Sequence, residues 1–242
     1  MQPDPTKLLE KIDLTLPLIG LYDAPDPSAF EPIVECTPGL HTCVFTFFRD
    51  WLSGMTLHLT KDNVGCRGAG RSLFGIQARE REEFIKFLTD GEGLKASREL
   101  MSQWIDDSCT YKPKHDHLFI GPLREDRWEY VISITFYVNP DQLSALMVGA
   151  QYHSTPEDPP PVIAPFSSGC GLLYQFKDPD IPQAAIGSTD LAMRPHLPRD
   201  ILSLSVTKPM FERLCSLDER SFLYKPFLND LRAARRSLGG QQ

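Results

Sequence analysis

The chain has 242 residues, of which 41% are hydrophobic and 24% charged, and its formal net charge is −7. These are ordinary values for a soluble globular protein, and the length suffices for one large domain or two closely packed halves. The acidic balance argues against a nucleic-acid partner, because proteins that bind nucleic acids normally present a basic face.

The sequence also argues against a membrane protein. No apolar run approaches the roughly 20 residues that a membrane helix needs. The first residues, MQPDPTKLLEKIDL, mix charges with leucines and lack the apolar centre of a signal peptide. We therefore expect a cytoplasmic protein, whose oligomeric state the sequence leaves open. In a reducing compartment its six cysteines are expected to be buried fillers, reactive thiols or metal ligands rather than disulfides.

The first half of the chain mixes helical and strand patterns. Asp4-Pro5 ahead of three spaced apolar residues predicts a short helix, and Leu18–Tyr22 predicts a strand. Thr56–Thr60 alternates like a half-buried strand, which would turn His58 outward. Helical spacing recurs in three further segments, at 42–53, around 84–88 and at about 95–105.

The second half contains the strongest strand pattern, Tyr130–Val138, which is rich in β-branched and aromatic residues. Asn139-Pro-Asp-Gln142 then has the composition of a capping box with proline at the first helical position. The proline-rich stretch 154–161 predicts a loop. Shorter patterns indicate strands at 118–121, 162–166 and 201–206, a helix from Phe211, and a C-terminal helix within 221–238.

Together these elements predict an α+β fold with mixed or antiparallel sheets and flanking helices, in a single compact domain over residues 1–242. Two segments, about 15–110 and 115–215, look alike. Ile19-Gly20 resembles Ile120-Gly121, and Gly65-Cys66 resembles Gly169-Cys170. If the similarity reflects a duplication rather than coincidence, a pseudo-twofold axis would bring the two Gly-Cys turns to one cleft.

The most unusual local stretch is Asp62–Ile76, DNVGCRGAGRSLFGI. Its glycine spacing matches neither a P-loop nor a dinucleotide-binding turn. Small residues still allow backbone N–H groups to approach an anion, with arginine side chains as further donors. The alternative is a tight strand-to-helix turn with solvated arginines. The candidate ligand contacts in this stretch are Cys66, Arg67, Gly68, Gly70 and Arg71.

Three cysteines are candidates for chemistry. Cys66 is predicted near a helix start, a position that lowers a thiol pKa, and Cys170 lies on a similar turn. With Cys43 they could hold a metal ion or an iron–sulfur cluster. The alternative is that all three are packing residues, since free cysteine is among the most buried residue types. That structural role is favoured for Cys36, Cys109 and Cys215.

Other polar groups are less distinctive. Asp190 and Arg194 follow an apolar segment, where a loop would reach a ligand, although a surface ion pair would look the same. His115-Asp-His117 reads either as a metal-binding pair or as a solvated loop.

These motifs, in this order, resemble the prokaryotic domain-of-unknown-function family 169 over about residues 15 to 215. The family's pattern N-[VI]-x-C-P-G-G-A is matched by Asn63-Val-Gly-Cys-Arg-Gly-Ala69, preceded by the cysteine of a helix at Cys43. Asn139–Gln142, Gly169-Cys170 and the Asp190 to Arg194 segment resemble its later motifs. Arg67 stands where the family often has proline. The resemblance implies an α+β fold and no settled activity.

The favoured function from sequence is therefore a protein that binds a small anionic ligand or cofactor in a cleft at the Cys66 and Cys170 turns. One alternative is a redox, iron–sulfur or metal-dependent enzyme that uses Cys43, Cys66 and Cys170. A second alternative is a structural or interaction module without a small ligand.

Overall fold

The strand segments meet in one mixed sheet. The structure, a computed structural model, describes residues 3–77, 79–174 and 176–239. Eight strands lie in the order β2-β3-β4-β1-β5-β8-β7-β6. Their bounds are Ile19–Asp23 for β1, Ile33–Glu35 for β2, Thr56–Leu59 for β3, Leu118–Pro122 for β4, Val131–Val138 for β5, Val162–Ile163 for β6, Ala184–Gly187 for β7 and Leu202–Val206 for β8.

The strand order is symmetric about the central β1–β5 pair, with β1 to β4 on one side of the sheet and β5 to β8 on the other. On each side the next strands are the fourth, third and second of that half, and the outermost pair on each side is parallel. The sequence motifs do not follow this pattern, because Gly20 and Gly121 face each other on neighbouring strands of one half. Cys66 follows β3, whereas Cys170 precedes β7. The proposed equivalence of these motifs is therefore not reproduced, and a duplication stays a prediction.

The strands bury side chains on both faces, as β4 illustrates. Leu118 and Ile120 join one hydrophobic core, and Phe119 between them joins the other. The mixed sheet with helices packed against it confirms the predicted α+β class. Burial on both faces also explains one wrong expectation, since His58 in β3 is only 6% exposed. Alternation indicates an outward face only where one side of the sheet is solvated.

Helices flank both faces. Their bounds are Thr6–Ile12 for α1, Phe48–Leu52 for α2, Arg67–Phe74 for α3, Arg81–Lys86 for α4, Arg98–Asp107 for α5, Pro140–Gln151 for α6, Lys208–Cys215 for α7 and Phe227–Gly239 for α8. The predicted capping box is present at α6, where Asn139 Oδ1 accepts from Gln142 N at 2.9 Å and Gln142 Oε1 accepts from Asn139 N at 3.0 Å. Within the described ranges, no helix has the length and apolarity to cross a membrane.

The two faces carry different helices. Residues of α1, α6 and α7 pack into the core that contains Phe119, whereas α2 and α3 contribute to the core that contains Leu118. A small third cluster, Ile85, Leu88 and Met101, joins α4 and α5. The core that contains Leu118 also contains most of the candidate cysteines. Cys36 and Cys170 are buried in it, and Cys43 and Cys66 pack against it.

Candidate functional site: a pair of thiols

The first of the two turns is fixed by contacts that leave Cys66 at the start of α3. Asn63 Oδ1 accepts from Thr60 N at 2.8 Å, and its amide donates to the His58 carbonyl at 3.2 Å. A Cβ atom on Gly65 would lie 2.0 Å from the backbone oxygen of Leu40. Only glycine therefore fits directly before Cys66, and this close approach explains the glycine.

Cys66 is the N-cap residue of α3 and is half-buried. The backbone N–H groups of Gly68 and Ala69 donate to its sulfur, as expected where a helix leaves its first N–H groups without intrahelical partners. Hydrogen bonds to the charged form favour the thiolate. The pKa of Cys66 is lowered to about 6, mainly because the Cys170 thiol donates to its sulfur, with these N–H groups and nearby His41 adding to the effect.

The second turn presents Cys170 from the opposite side. Asp190 holds it by accepting hydrogen bonds from Gly169 N and from Ala192 N, both at 2.9 Å. Cys170 is 4% exposed, and the hydroxyl of Ser168 lies 3.4 Å from its sulfur. The pKa of the Cys170 thiol is raised well above its ordinary value, first because it is the donor to Cys66 and second because it is buried.

The two turns pack directly against each other. A Cβ atom on Gly68 would lie 3.4 Å from Ser168 Cβ and 3.5 Å from Cys170 Sγ. Ser72, one turn further along α3, approaches the Ser168 hydroxyl at 3.3 Å. The two thiols therefore differ in pKa. Cys66 ionises more readily than an ordinary thiol, and Cys170 ionises less readily.

Two more cysteines lie near this pair. Gly65 N donates to the sulfur of Cys36, and Phe45 N donates to the sulfur of Cys43. Burial raises the pKa of both thiols, and the nearby Cys66 raises it further. The approach of Cys36 was missed from sequence. Its position directly after an apolar strand offered only a weak signal.

The metal hypothesis for Cys43, Cys66 and Cys170 receives no support from side-chain placement. In residues 3–77, 79–174 and 176–239, no three His, Cys, Asp or Glu side chains are arranged to hold a metal ion. The three cysteines do lie close enough for their charges to interact. The described residues thus bring the thiols close together without arranging them as the ligands of a metal ion.

The remaining predicted ligand contacts have different surroundings. Arg67 is exposed, and Gly70 is buried next to Ile76 and Val64. The guanidinium of Arg71 packs on aromatic rings. Arg194 donates to three carbonyls of the following loop, those of Pro198, Arg199 and Ile201. Asp190 and Arg194 are therefore engaged within the protein, which favours a structural role for both.

A chain of histidines lies elsewhere on the sheet. His58 Nδ1 is 2.5 Å from Glu35 Oε1, and His58 Nε2 is 2.9 Å from His117 Nδ1. Asp23, which is buried, accepts hydrogen bonds from the Tyr111 hydroxyl, the backbone of Lys114 and the ring of His115. The loop histidines are thus held by neighbouring protein groups, an outcome that sequence spacing did not indicate.

A cavity of about 400 Å³ lies between α1, α6 and α8. Its lining includes Ile12 and Ala145, which belong to the core on the other face of the sheet from Cys170. This cavity therefore does not belong to the thiol pair.

Fold and site together define an α+β protein in which two cysteine turns pack together and the two thiols have oppositely shifted pKa values. The profile of domain-of-unknown-function family 169, described as an uncharacterised ArCR family, matches residues 7–216. The chain belongs to this family. No curated protein and no solved structure gives a significant match. The matched segment contains the four clustered cysteines and ends before α8.

Proposed function

We propose that the protein is a thiol–disulfide redox protein in which Cys66 is the attacking thiolate and Cys170 is the resolving thiol. The observation that carries this proposal is the packing of the two turns, in which a Cβ atom on Gly68 would lie 3.5 Å from Cys170 Sγ, together with the opposite pKa shifts of the two thiols. A thiolate, not a thiol, is the nucleophile in disulfide exchange, and an attacking thiol works best when its pKa is near the ambient pH.

The exchange proceeds in two steps. Cys66 Sγ⁻ attacks one sulfur of a disulfide R–S–S–R′, which forms the mixed disulfide Cys66–S–S–R and releases R′S⁻. Cys170 then loses its proton to solvent or to the departing thiolate. Its sulfur attacks Cys66 Sγ, forms the Cys66–Cys170 disulfide and releases RS⁻. The protein loses two electrons and the substrate disulfide gains them, while an external dithiol is needed to return the protein to its reduced form.

Three features support this proposal over the ligand-binding and structural alternatives. Cys66 is half-buried like Cys43, Cys109 and Cys215, but its pKa is lowered whereas theirs are raised. The N–H groups at the start of α3 stabilise a charged sulfur more than a neutral one and contribute to the lowered pKa of Cys66. The Gly68 contact with the Cys170 turn brings the second thiol into hydrogen-bonding reach.

The test is to expose the reduced protein to a small disulfide at pH 7 and identify linked peptides by mass spectrometry. We expect a Cys66–Cys170 disulfide in the wild type. In Cys170→Ser, oxidation should stop at a mixed disulfide on Cys66, and in Cys66→Ser neither product should form. Cys215→Ser is the matched control, because this thiol lies on α7 and belongs to the other core. Initial modification at Cys170, or an unmodified wild type, would refute the proposal.

A further inference from the structure

Arg71, a half-buried residue of the helix that begins after Cys66, has no carboxylate partner among the described residues. Arg71 lies with its guanidinium carbon 4.7 Å from the ring centre of Phe84 and 5.9 Å from that of Trp104. Burial lowers the pKa of Arg71, and the nearby charge of Arg81 lowers it further. Over the part of the chain that the structure describes, no carboxylate pairs with Arg71 and no carbonyl accepts from it. The two aromatic rings therefore offset only part of the cost of burying its charge.

Three other arginines, Arg81, Arg124 and Arg194, have hydrogen-bond partners for their charge. Arg81 itself pairs with Asp106 at 2.8 Å and donates to Ser102. Arg124 and Arg194 donate to backbone carbonyls. A partly desolvated cation normally has a partner, because removing charge from water is costly. The open donors of Arg71 are therefore best explained by a partner that binds from solution.

Three aromatic residues, Phe84, Trp104 and Phe166, form what we call the aromatic shelf: Arg71 contacts the first two, and Phe166 packs on Trp104. Trp104 and Phe166 have ring centres 5.0 Å apart, and Trp104 Nε1 donates to the Phe166 carbonyl at 2.8 Å. A second cation, Lys95, lies 4.9 Å above the Phe166 ring. The shelf thus combines aromatic rings with positive charge, which suits an anion that carries an aromatic or apolar part.

The shelf adjoins the thiol pair through α3 and through the chain after Phe166. Gly68, Arg71 and Ser72 share one face of α3 because they are three and four residues apart. Gly68 and Ser72 of that face contact Ser168 of the Cys170 turn. Phe166 precedes Ser167-Ser168 directly. A molecule on the shelf would therefore lie beside the sulfur atoms.

We infer that Arg71, with Lys95 and the aromatic shelf, binds the carboxylate of a small anionic substrate and presents that substrate to Cys66. This inference rests on the proposed redox function, and it specifies the substrate class as an organic anion that carries a disulfide. Arg71 would be a binding residue and Cys66 the reacting one.

The first experiment measures binding without thiol chemistry. In Cys66→Ser protein, NMR titration compares benzoate with its neutral analogue benzamide. We expect benzoate to bind about tenfold more tightly, the range of one charge-assisted hydrogen-bonded contact, and this preference to disappear when Arg71→Met is added. Arg79→Met is the matched control, because Arg79 also packs on a ring, Phe87 at 3.8 Å, which is not one of the three shelf residues. Equal binding of the two compounds would overturn the inference.

The second experiment separates the inference from the redox proposal. The rate at which Cys66 reacts is measured with the dianion dithiobis(nitrobenzoate) and with neutral dithiodipyridine. Arg71→Met should slow the dianion about tenfold and leave the neutral reagent within about twofold, while Arg79→Met changes neither. If both reagents react rapidly at Cys66 in Arg71→Met protein, the shelf is refuted and the redox proposal survives. If neither reacts at Cys66 in wild type, the redox proposal itself fails.

Discussion

The two Gly-Cys turns look alike in sequence and are opposite in structure. Gly65-Cys66 lies at the start of a helix, where Cys66 is half-buried beside backbone N–H groups. Gly169-Cys170 is held by Asp190, and Cys170 is buried. Burial disfavours a thiolate, and N–H donors favour it. The comparison shows that a shared dipeptide says little about reactivity until the surrounding backbone is known.

The glycines before the two cysteines provide the largest expected difference. A Cβ on Gly65 would meet a backbone oxygen at 2.0 Å, whereas a Cβ on Gly169 would first meet the flexible Met193 side chain at 2.6 Å. Gly65→Ala should lower the free energy of unfolding by about 3 kcal/mol or more, and Gly169→Ala by about 1 kcal/mol, since overpacking costs depend on what can move. Chemical denaturation of both variants measures this. Equal losses would show that the two turns are equally constrained.

The second prediction concerns the pH dependence of stability. The folded pKa of Cys66, about 6, lies below the ordinary thiol value of 9.0. The resulting stabilisation is complete above the unfolded pKa and is lost as pH falls towards the folded pKa. From pH 6.5 to 8.5 the difference in unfolding free energy between wild type and Cys66→Ser should therefore grow by about 2 kcal/mol.

Urea denaturation of the two proteins at several pH values measures this difference, and it cancels groups that titrate equally in both. Cys170 contributes little below about pH 8, because its raised pKa affects stability only where an unfolded thiol begins to ionise. A difference that stays constant with pH would mean that Cys66 is protonated in the folded protein.

The smallest effect tests the link between the two turns. Cys170→Ala removes the thiol that donates to Cys66, which is the main cause of its lowered pKa. The pKa of Cys66 should rise by about one unit, the size expected for losing one hydrogen bond to a charged group. Cys170→Ser keeps a donor and should restore most of the shift. The pH profile of Cys66 alkylation measures this pKa. Identical profiles in all three proteins would show that Cys170 does not influence the pKa of Cys66.

Local signals predicted much of the fold. The strand at Tyr130–Val138 and the capping box at Asn139 were readable because their residue patterns are local, and they appear as β5 and the start of α6. The strand expected at 162–166 is confined to β6, and the helix expected at 42–53 begins as a 3-10 turn at Val44–Phe47 before α2. Element boundaries depend on tertiary contacts that a local pattern does not contain.

The candidate site was only partly predictable. The sequence singled out Cys66, Cys170 and Arg71, since a turn before a helix and a glycine-rich context are local features. The sequence similarity suggested that the two Gly-Cys turns are repeats of each other. In the structure the turns do meet, but Cys66 lies in the connection after β3 and Cys170 in the connection before β7. The rings on Arg71 come from α4 and α5, and Cys36 comes from the segment after β2. No spacing rule reports such long-range neighbours.

The most direct test of the account is the pH dependence of alkylation at each cysteine of the reduced wild-type protein, quantified by mass spectrometry. Cys66 should react with a midpoint near pH 6, and Cys170 should stay unreactive across the neutral range because its thiol is buried and its pKa is raised. A midpoint for Cys66 at or above the ordinary thiol value of 9.0, or faster reaction at Cys170, would contradict the assignment of thiolate and thiol to this pair.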